Sequence, residues 1–264
     1  MLEICGISKT FHPGTINEKK ALQNLSLTLE DGDFVTVIGG NGAGKSTLMN
    51  AICGVWRLDS GKIIIDGKDV TSMPEHRRAK YLGRVFQDPM MGTAADMEIK
   101  ENLALAKRRG KSRGLRWGIT SAEKAEFRDM LASLDLGLED RMSSKVGLLS
   151  GGQRQAVTLL MASLSKPKLL LLDEHTAALD PKTAEKVLEI TDRIVYENQL
   201  TTLMITHNMR DAINHGNRLI MLHQGRIILD IKGEEKKSLT VEQLLELFSN
   251  ASGKEFVSDR AVLN

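Results

Sequence analysis

Short apolar runs separated by turn residues dominate the first forty positions of the chain. The runs Leu2–Ser8, Leu25–Leu29 and Phe34–Ile38 are rich in aliphatic side chains, and proline, glycine and aspartate stand between them. Apolar runs of this length with such boundaries are typical of β-strands. The pattern predicts three strands, and the third leads directly into a glycine-rich loop.

The spacing of apolar residues changes in the middle of the chain. Between about residues 94 and 164 they recur every three or four positions, as at Ile99, Leu103 and Ala106. This spacing places them on one face of a helix. We expect a helical subdomain over about residues 88–167, inserted into a core formed by about residues 1–87 and 168–264, so that the whole chain is one domain.

Strand and helix patterns alternate in the last third. A continuous apolar run at Leu169–Leu172 precedes a helical pattern from Pro181, and another strand pattern follows at Thr202–Ile205. A hairpin is predicted with its turn at Gln224-Gly225, and an amphipathic helix at Val241–Phe248. Continuous apolar strands alternating with helices predict an α/β fold with a parallel sheet, here preceded by an antiparallel β portion.

Composition excludes several classes of protein. The 264 residues are 41% hydrophobic and carry a formal charge of +2, which favours neither a basic nucleic-acid binder nor a disordered acidic chain. The two cysteines, Cys5 and Cys53, provide no disulfide framework and indicate a reducing compartment. Without a signal-peptide pattern or a run of about 18 apolar residues, we expect a cytoplasmic protein that reaches a membrane only through another chain.

The glycine-rich loop Gly39–Ser46 fits the pattern G-x-x-x-x-G-K-[ST] between a predicted strand and a predicted helix. Glycines let successive backbone N–H groups point at a polyphosphate, and the helix N-terminus adds partial positive charge. Lys45 is placed to reach the terminal phosphates, and the Ser46 hydroxyl to hold Mg²⁺. The sequence therefore predicts a P-loop NTPase core that binds a nucleotide through the residues Gly39, Asn41, Gly42, Ala43, Gly44, Lys45, Ser46 and Thr47.

Two further motifs identify the family that the chain resembles. The sequence Leu149-Ser150-Gly151-Gly152-Gln153 directly precedes a helical pattern, and the run Leu169–Leu172 ends in Asp173-Glu174. The first matches LSGGQ, the signature of the ATP-binding cassette (ABC) family, letter for letter. The second resembles the family's Walker B strand, which implies that Asp173 lies in the Mg²⁺ shell and that Glu174 orients or deprotonates the attacking water.

Four other positions match family motifs in chain order. The resemblance implies that Gln87 is the Q-loop glutamine, which contacts Mg²⁺ and water, and that Asp180 belongs to the D-loop at a dimer interface. It also implies that His207 contacts the γ-phosphate, and that Phe11 stacks on adenine where the family more often has tyrosine. His175 departs from the family pattern, since many relatives have proline after the catalytic glutamate.

The resemblance also implies partners. Two copies are expected to associate head to tail, with ATP between the P-loop of one protomer and Ser150, Gly151, Gly152 and Gln153 of the other. The dimer is expected on the inner face of the cell membrane, bound to an integral membrane permease and working indirectly with a solute-binding protein. The motif context resembles importers of amino acids or similar small solutes, and no specific nucleic acid is expected.

Three alternative functions remain open at this stage. An exporter ATPase has the same motor, because the motor does not encode the direction of transport. A soluble ATPase of assembly or repair is disfavoured by the absence of a coiled-coil insert or a tandem cassette, although an Fe–S assembly ATPase needs neither. A non-hydrolysing regulatory module is disfavoured because both Glu174 and His207 are present.

Two segments outside the motifs have ambiguous patterns. Residues 107–117 contain six basic side chains and Trp117, which favours a solvated loop, with contact with anionic lipid and then binding of nucleic acid as the alternatives. Met90-Met91 follows Gln87, and we expect these side chains to be buried filler, with an adaptable socket for a partner helix as the alternative.

Overall fold

A computed structural model describes residues 1–111 and 118–252 of the chain. The strands are β1 (Leu2–Phe11), β2 (Lys19–Leu29), β3 (Phe34–Ile38), β4 (Ser60–Ile65), β5 (Lys68–Asp69), β6 (Leu82–Val85), β7 (Leu169–Asp173), β8 (Thr202–Ile205), β9 (Arg218–His223) and β10 (Arg226–Lys232). The helices are α1 (Lys45–Cys53), α2 (Glu75–Arg78), α3 (Ile99–Lys107), α4 (Ser121–Ala132), α5 (Gly151–Ser163), α6 (Pro181–Asn198), α7 (Met209–Asn214), α8 (Glu234–Lys237) and α9 (Val241–Ser252).

The strands form two sheets. The first is antiparallel, with the order β2-β1-β4-β5. The second has the order β10-β9-β3-β8-β7-β6, and its neighbours are parallel except for the β9–β10 hairpin. The predicted α/β P-loop NTPase fold, with a parallel sheet and an N-terminal antiparallel portion, is confirmed.

Strand β7, which lies between β8 and the edge strand β6, separates two hydrophobic clusters. Leu169 and Leu171 pack with α1 and the antiparallel sheet, whereas Leu170 and Leu172 pack with α3, α4, α5 and α6. All four side chains are fully buried. Successive side chains of a strand point to opposite faces, so a strand covered on both faces is apolar at most positions.

The segment between β6 and β7 contains α3, α4 and α5, and a 3₁₀ turn at Val146–Leu148 precedes α5. Both α4 and α5 begin with a capping box, in which Thr120 and Ser150 are the N-cap residues. The helices occupy the region 88–167 in which the sequence predicts a subdomain. That this region is a subdomain with those boundaries remains a prediction.

Several elements are longer than the apolar pattern indicates. Strand β1 continues to Phe11 and β2 begins at Lys19, because backbone pairing extends through polar residues such as Thr10, which lies opposite Lys20. The last helix extends to Ser252. Among residues 1–111 and 118–252, no helix combines the length and the apolar composition that crossing a bilayer requires.

Arg78 closes the C-terminal end of α1, the helix that follows the glycine-rich loop. Its Nη1 donates to the carbonyl oxygens of Ala51 and Ile52 at 2.8 and 2.9 Å. Its Nη2 donates to the carbonyl oxygen of Thr71, and its Nε donates to the carbonyl oxygen of Met73, both at 2.8 Å. Helix ends leave carbonyl groups without intrahelical partners, and the buried guanidinium satisfies those of α1. The fold therefore depends on this side chain for the anchoring of α1.

We expect Arg78→Met to lower the free energy of unfolding by about 3 kcal/mol, because buried carbonyl groups lose a charged donor. Arg77→Met is the matched control, since Arg77 is the exposed neighbour on the same helix. Urea denaturation followed by circular dichroism measures both variants. Equal stability of the two would contradict a specific role for Arg78.

Candidate nucleotide site

The candidate site lies where the parallel strands β3, β8 and β7 end. Val37 of β3 is in register with Ile205 of β8, and Ile205 is in register with Asp173 of β7. The loops that follow these strands therefore begin at the same level of the sheet. They contain the glycine-rich loop, Glu174 and His207. Ligands of open α/β sheets bind at this carboxyl edge.

The glycine-rich loop needs its glycines for backbone geometry. Gly42 and Gly44 have positive φ values of 78° and 108°. A Cβ atom on Gly39 would lie 2.3 Å from the carbonyl oxygen of Leu222, and one on Gly44 would lie 2.6 Å from that of Ala21. Any larger residue at Gly39 or Gly44 would collide with backbone. The close approach fixes the loop against β2 and β9.

Lys45 begins α1 and is mostly buried within the curve of the loop. Its Nζ donates to the carbonyl oxygen of Gly39 at 2.7 Å and approaches that of Gly40 at 3.4 Å. Ser46 is exposed and Thr47 is half-buried in the first turn of the same helix. The lysine charge therefore lies beside a helix N-terminus, and both favour an anion at this point.

Asp173 ends β7 and is paired with a residue that the motif analysis did not single out. Its Oδ2 accepts from Arg84 Nη2 at 3.0 Å, and both side chains are less than one-fifth exposed. Arg84 is the charged residue in the otherwise apolar strand β6. This charge within a buried strand is the feature of the sequence that could have identified it as a site residue. The pair places a cation directly beside the predicted metal ligand.

Glu174 and His207 face each other across the strand ends. Glu174 Oε2 lies 3.5 Å from His207 Nδ1, and the Glu174 amide donates to the carbonyl oxygen of Ile205 at 3.0 Å. Glu174 has a φ of 46°, in the left-handed region that non-glycine residues rarely adopt. Both side chains line a cavity of about 580 Å³ that extends along α6 and α7.

The signature residues lie at the start of α5. Ser150 Oγ accepts from the Gln153 amide at 3.3 Å, and Gln153 Oε1 accepts from the Ser150 amide at 3.2 Å. A Cβ on Gly152 would lie 2.1 Å from Thr183 Cγ2, and one on Gly151 would lie 3.1 Å from Leu179. These contacts place the signature against the start of α6. The structure thus brings the glycine-rich loop, Asp173, Glu174 and His207 to one sheet edge and places the signature on a separate helix.

Asp180 is the N-cap of α6, where its Oδ1 accepts from the Thr183 amide at 3.1 Å. Hydrogen bonding from the Thr183 side chain, and then from the Thr183 amide, lowers the pKa of Asp180. Gln87 is exposed just after β6. The carbonyl oxygen of the preceding residue, Phe86, accepts from Gln155 Nε2 at 3.2 Å. The Q-loop therefore leaves the sheet next to the helix that begins with the signature.

Phe11 ends β1 and is half-exposed. Its ring makes an edge-to-face contact with Trp56, with the ring centroids 5.4 Å apart and an angle of 82° between the planes. Lys9 Nζ lies 5.6 Å from the centre of the Phe11 ring. Trp56 is a second aromatic residue that the sequence analysis did not place near Phe11, because the two are adjacent only in the folded chain.

His175 is buried directly after Glu174. Thr191 Oγ1 donates to the carbonyl oxygen of Val187 at 2.8 Å, so the 3.0 Å contact with His175 Nε2 requires the imidazole to donate. Burial, together with the charge of His215, lowers the pKa of His175 to about 4. The residue that replaces the family's proline is therefore a neutral link between the Glu174 loop and α6.

The expectation of a buried Met90-Met91 is wrong. The two residues are 42% and 70% exposed, because the loop after Gln87 lies on the surface of α5. Arg154 Nη1 lies 2.7 Å from the Met90 sulfur. The socket alternative is the one compatible with this exposure.

The described part of the basic segment is largely paired. Lys107 forms an ion pair with Glu126, Arg108 with Glu123, and Arg109 Nη2 donates to Ser165 Oγ at 2.8 Å. Burial lowers the pKa of Arg109. Residues 112–117 lie outside the described residues. The paired cations of residues 107–109 give no support to a nucleic-acid surface.

Comparison with known proteins identifies the class. A family model described as "ABC transporter" matches residues 22–177. The tyrosine transport ATP-binding protein of Clostridioides difficile is 48% identical over 252 residues, covering 95% of this chain and 100% of that protein. The spermidine/putrescine import ATP-binding protein PotA of Haemophilus influenzae is 33% identical over 230 residues, covering 87% of this chain and 57% of that protein.

A solved structure gives the same assignment. A dimeric ATP-binding cassette in a post-hydrolysis state, bound to ADP and Pi, matches with a TM-score of 0.74 and 29% identity over 88% of this chain and 98% of that chain. The chain therefore belongs to the ABC transporter family. It is an ATP-binding ATPase coupled to transport, as its motifs predict.

We expect the stability of the protein to fall between about pH 6.5 and pH 4, partly through His175. In this window the unfolded chain binds a proton at His175, whereas the folded chain, with a pKa of about 4, does not. His175→Gln keeps an amide donor for Thr191 and does not titrate. Between pH 6.5 and pH 4 this variant should therefore lose roughly 3 kcal/mol less stability than the unmodified protein. Denaturant melts at several pH values measure this.

His12→Gln serves as the control, because His12 is exposed. A His175→Gln variant whose pH profile matches both the control and the unmodified protein would show that His175 protonates in the folded state.

Proposed function

We propose that the chain is the ATP-hydrolysing subunit of an importer for an amino acid or a similar small solute. The Glu174–His207 pair is the observation that supports hydrolysis, because it places a carboxylate and an imidazole 3.5 Å apart at the sheet edge from which the glycine-rich loop also begins. The amino-acid class rests on the 48% identity to a tyrosine transport ATP-binding protein over that protein's whole length. Import rests on the name of PotA.

ATP binds with its phosphates in the Gly39–Ser46 loop and its adenine on Phe11. Gly39 and Gly44 support the phosphate site, because any other residue at these positions would collide with backbone. The half-exposed Phe11 ring, fixed at its side by Trp56, supports the base site. Asn41, Gly42 and the start of α1 provide the N–H groups of the phosphate cradle.

Ser46, Asp173 and Gln87 would hold Mg²⁺. Their hydroxyl, carboxylate and amide oxygens are the hard donors that this ion prefers, and the few protein ligands suit an ion that keeps waters and phosphate oxygens. When bound, Mg²⁺ neutralises charge that develops on the phosphates. The partly buried carboxylate of Asp173 at the sheet edge supports this fit.

Hydrolysis transfers the γ-phosphoryl group to water. Glu174 accepts the water proton as the water oxygen bonds to the γ-phosphorus and the bond to the ADP oxygen breaks. His207 donates to a γ-phosphate oxygen and holds Glu174 in place. Glu174 combines a left-handed φ with a side chain that lines the cavity.

Two copies form the active unit, head to tail, with each ATP between two protomers. Ser150–Gln153 then supply a second helix N-terminus to the γ-phosphate, from the facing protomer. This segment lies on α5 and contacts Thr183 of α6, and it is not part of the Gly39–Ser46 loop. This separate location supports a site completed in trans. Asp180 lies at the same interface, as the N-cap of α6.

We expect Glu174→Gln to lower ATP turnover at least a hundredfold, because the amide cannot accept the water proton. Nucleotide binding should survive, and an ATP-dependent dimer should accumulate. Phosphate release kinetics and size-exclusion chromatography with light scattering measure the two effects.

Glu185→Gln is the control, since Glu185 lines the same cavity on α6. Unchanged turnover in Glu174→Gln would remove Glu174 as the base. A variant that binds ATP and stays monomeric would instead show that a permease is needed to bring the two copies together.

The surface beside the Q-loop is the proposed permease contact. Met90, Met91 and Leu148 are exposed around Arg154, which donates to the carbonyl oxygens of Gly147 and Leu149. Flexible methionine side chains suit an apolar partner helix. Gln87 precedes this surface and links it to the nucleotide. The subunit would thus bind at the cytoplasmic face of the membrane, and a separate solute-binding protein would select the solute.

We expect Met91→Asp to abolish ATP-driven uptake of labelled tyrosine in cells while the isolated protein keeps its basal ATPase activity, because a charge opposes docking of an apolar helix. Asp96→Asn is the control, as Asp96 is exposed on the same loop.

Cells that lack the gene should lose tyrosine uptake and keep lysine uptake. Normal tyrosine uptake in those cells would contradict the proposed solute class.

A further inference from the structure

Arg84 joins the two elements that carry the proposed metal ligands. Its Nη2 donates to Asp173 Oδ2 at 3.0 Å, and its Nη1 donates to Asn50 Oδ1 at 3.0 Å. Asn50 lies on α1 four residues after Ser46, which is one helical turn along the same face. The guanidinium fork therefore connects the helix that begins at the phosphate loop with the carboxylate that ends β7.

The strand register explains why this arginine reaches Asp173. Arg84 of β6 is in register with Leu171 of β7, and Leu171 and Asp173 point to the same face of the sheet because they are two residues apart. That face packs on α1. The guanidinium carbon also lies 4.6 Å from the centre of the Phe86 ring. Arg84 thus lies in the interface between the sheet and α1.

The Arg84 guanidinium is largely removed from water and lies beside the carboxylate of Asp173. Arg84 is only 16% exposed, and its buried Nε has no hydrogen-bond partner among the described residues. Burying a guanidinium costs free energy that hydrogen bonds or an opposite charge have to offset. The compensating charge is Asp173, whose own carboxylate would otherwise repel a triphosphate at the same sheet edge.

We propose that Arg84 is a positioning residue that neutralises Asp173 while the metal is absent, so that ATP binding depends less on Mg²⁺. The inference rests on the proposed function, in which Asp173 and the Gly39–Ser46 loop share one nucleotide. The guanidinium holds Oδ2 and keeps the carboxylate oriented. It partly replaces the cation in balancing the charge of the carboxylate and the phosphates.

The test compares nucleotide affinity with and without metal. Calorimetry gives the dissociation constant of the non-hydrolysable analogue adenylyl-imidodiphosphate in EDTA and in Mg²⁺. The readout is the constant in EDTA divided by the constant in Mg²⁺. We expect Arg84→Met to raise this ratio about tenfold over the unmodified protein, because the uncompensated carboxylate weakens metal-free binding most. Arg84→Lys, which keeps the charge, should stay within about threefold of the unmodified ratio.

Arg218→Met is the matched control. Arg218 is 15% exposed and binds Asp230 through two short hydrogen bonds on the β9–β10 hairpin, so it loses a similar ion pair away from the nucleotide. Its ratio should not change. Arg84→Gln repeats the neutral variant with a side chain that still forms hydrogen bonds, should Arg84→Met fail to fold.

An unchanged or lower ratio in the neutral variants would overturn the inference, even if both affinities fell, since equal losses indicate a structural role alone. Failure of both neutral variants to fold, with Arg84→Lys folded, would also overturn it by assigning the charge to folding. If the unmodified protein binds no nucleotide in either condition, the proposed function itself fails, which is a separate outcome.

Discussion

The burial of β3, β7 and β8 on both faces is the constraint on which the rest of the structure depends. Such strands are mostly apolar, and the buried Thr36 of β3 donates its hydroxyl to the carbonyl oxygen of Ala212, so charged groups are concentrated at the strand ends. Because the strands are parallel and in register, their carboxyl ends lie side by side. The phosphate loop, Glu174 and His207 are therefore adjacent although more than 160 positions separate Lys45 from His207 in the sequence.

Charges at this edge are balanced by backbone and by opposite charges. Lys45 lies against the carbonyl oxygen of Gly39, whereas Asp173 lies against Arg84. Both charged side chains are thus held in place by other groups of the chain. A preorganised arrangement loses less entropy when a charged ligand binds. The helix N-terminus of α1 contributes to the same field.

The same fold connects the site to its surroundings through a few buried polar contacts. His175 joins the loop after Glu174 to Thr191 in α6, and Gln155 joins α5 to the backbone of Phe86 immediately before Gln87. A movement of the loops at the sheet edge would therefore reach α6 through His175. It would reach α5 and the exposed methionines of the Q-loop through Phe86 and Gln155. These contacts provide a physical route by which nucleotide could act on a partner surface.

The sequence alone determined the family, the α/β fold and the identity of the motif residues, because these depend on local spacing: glycine at tight backbone positions, continuous apolar runs in buried strands, and carboxylates directly after a strand. Tertiary structure decided what depends on distant neighbours. The ion pair of Arg84 with Asp173 joins two strands, the Phe11–Trp56 contact joins a strand end to the loop after α1, and the exposure of Met90 and Met91 follows from the path of the Q-loop over α5. Each of these arises from strand order and packing, which bring together residues that no local pattern relates.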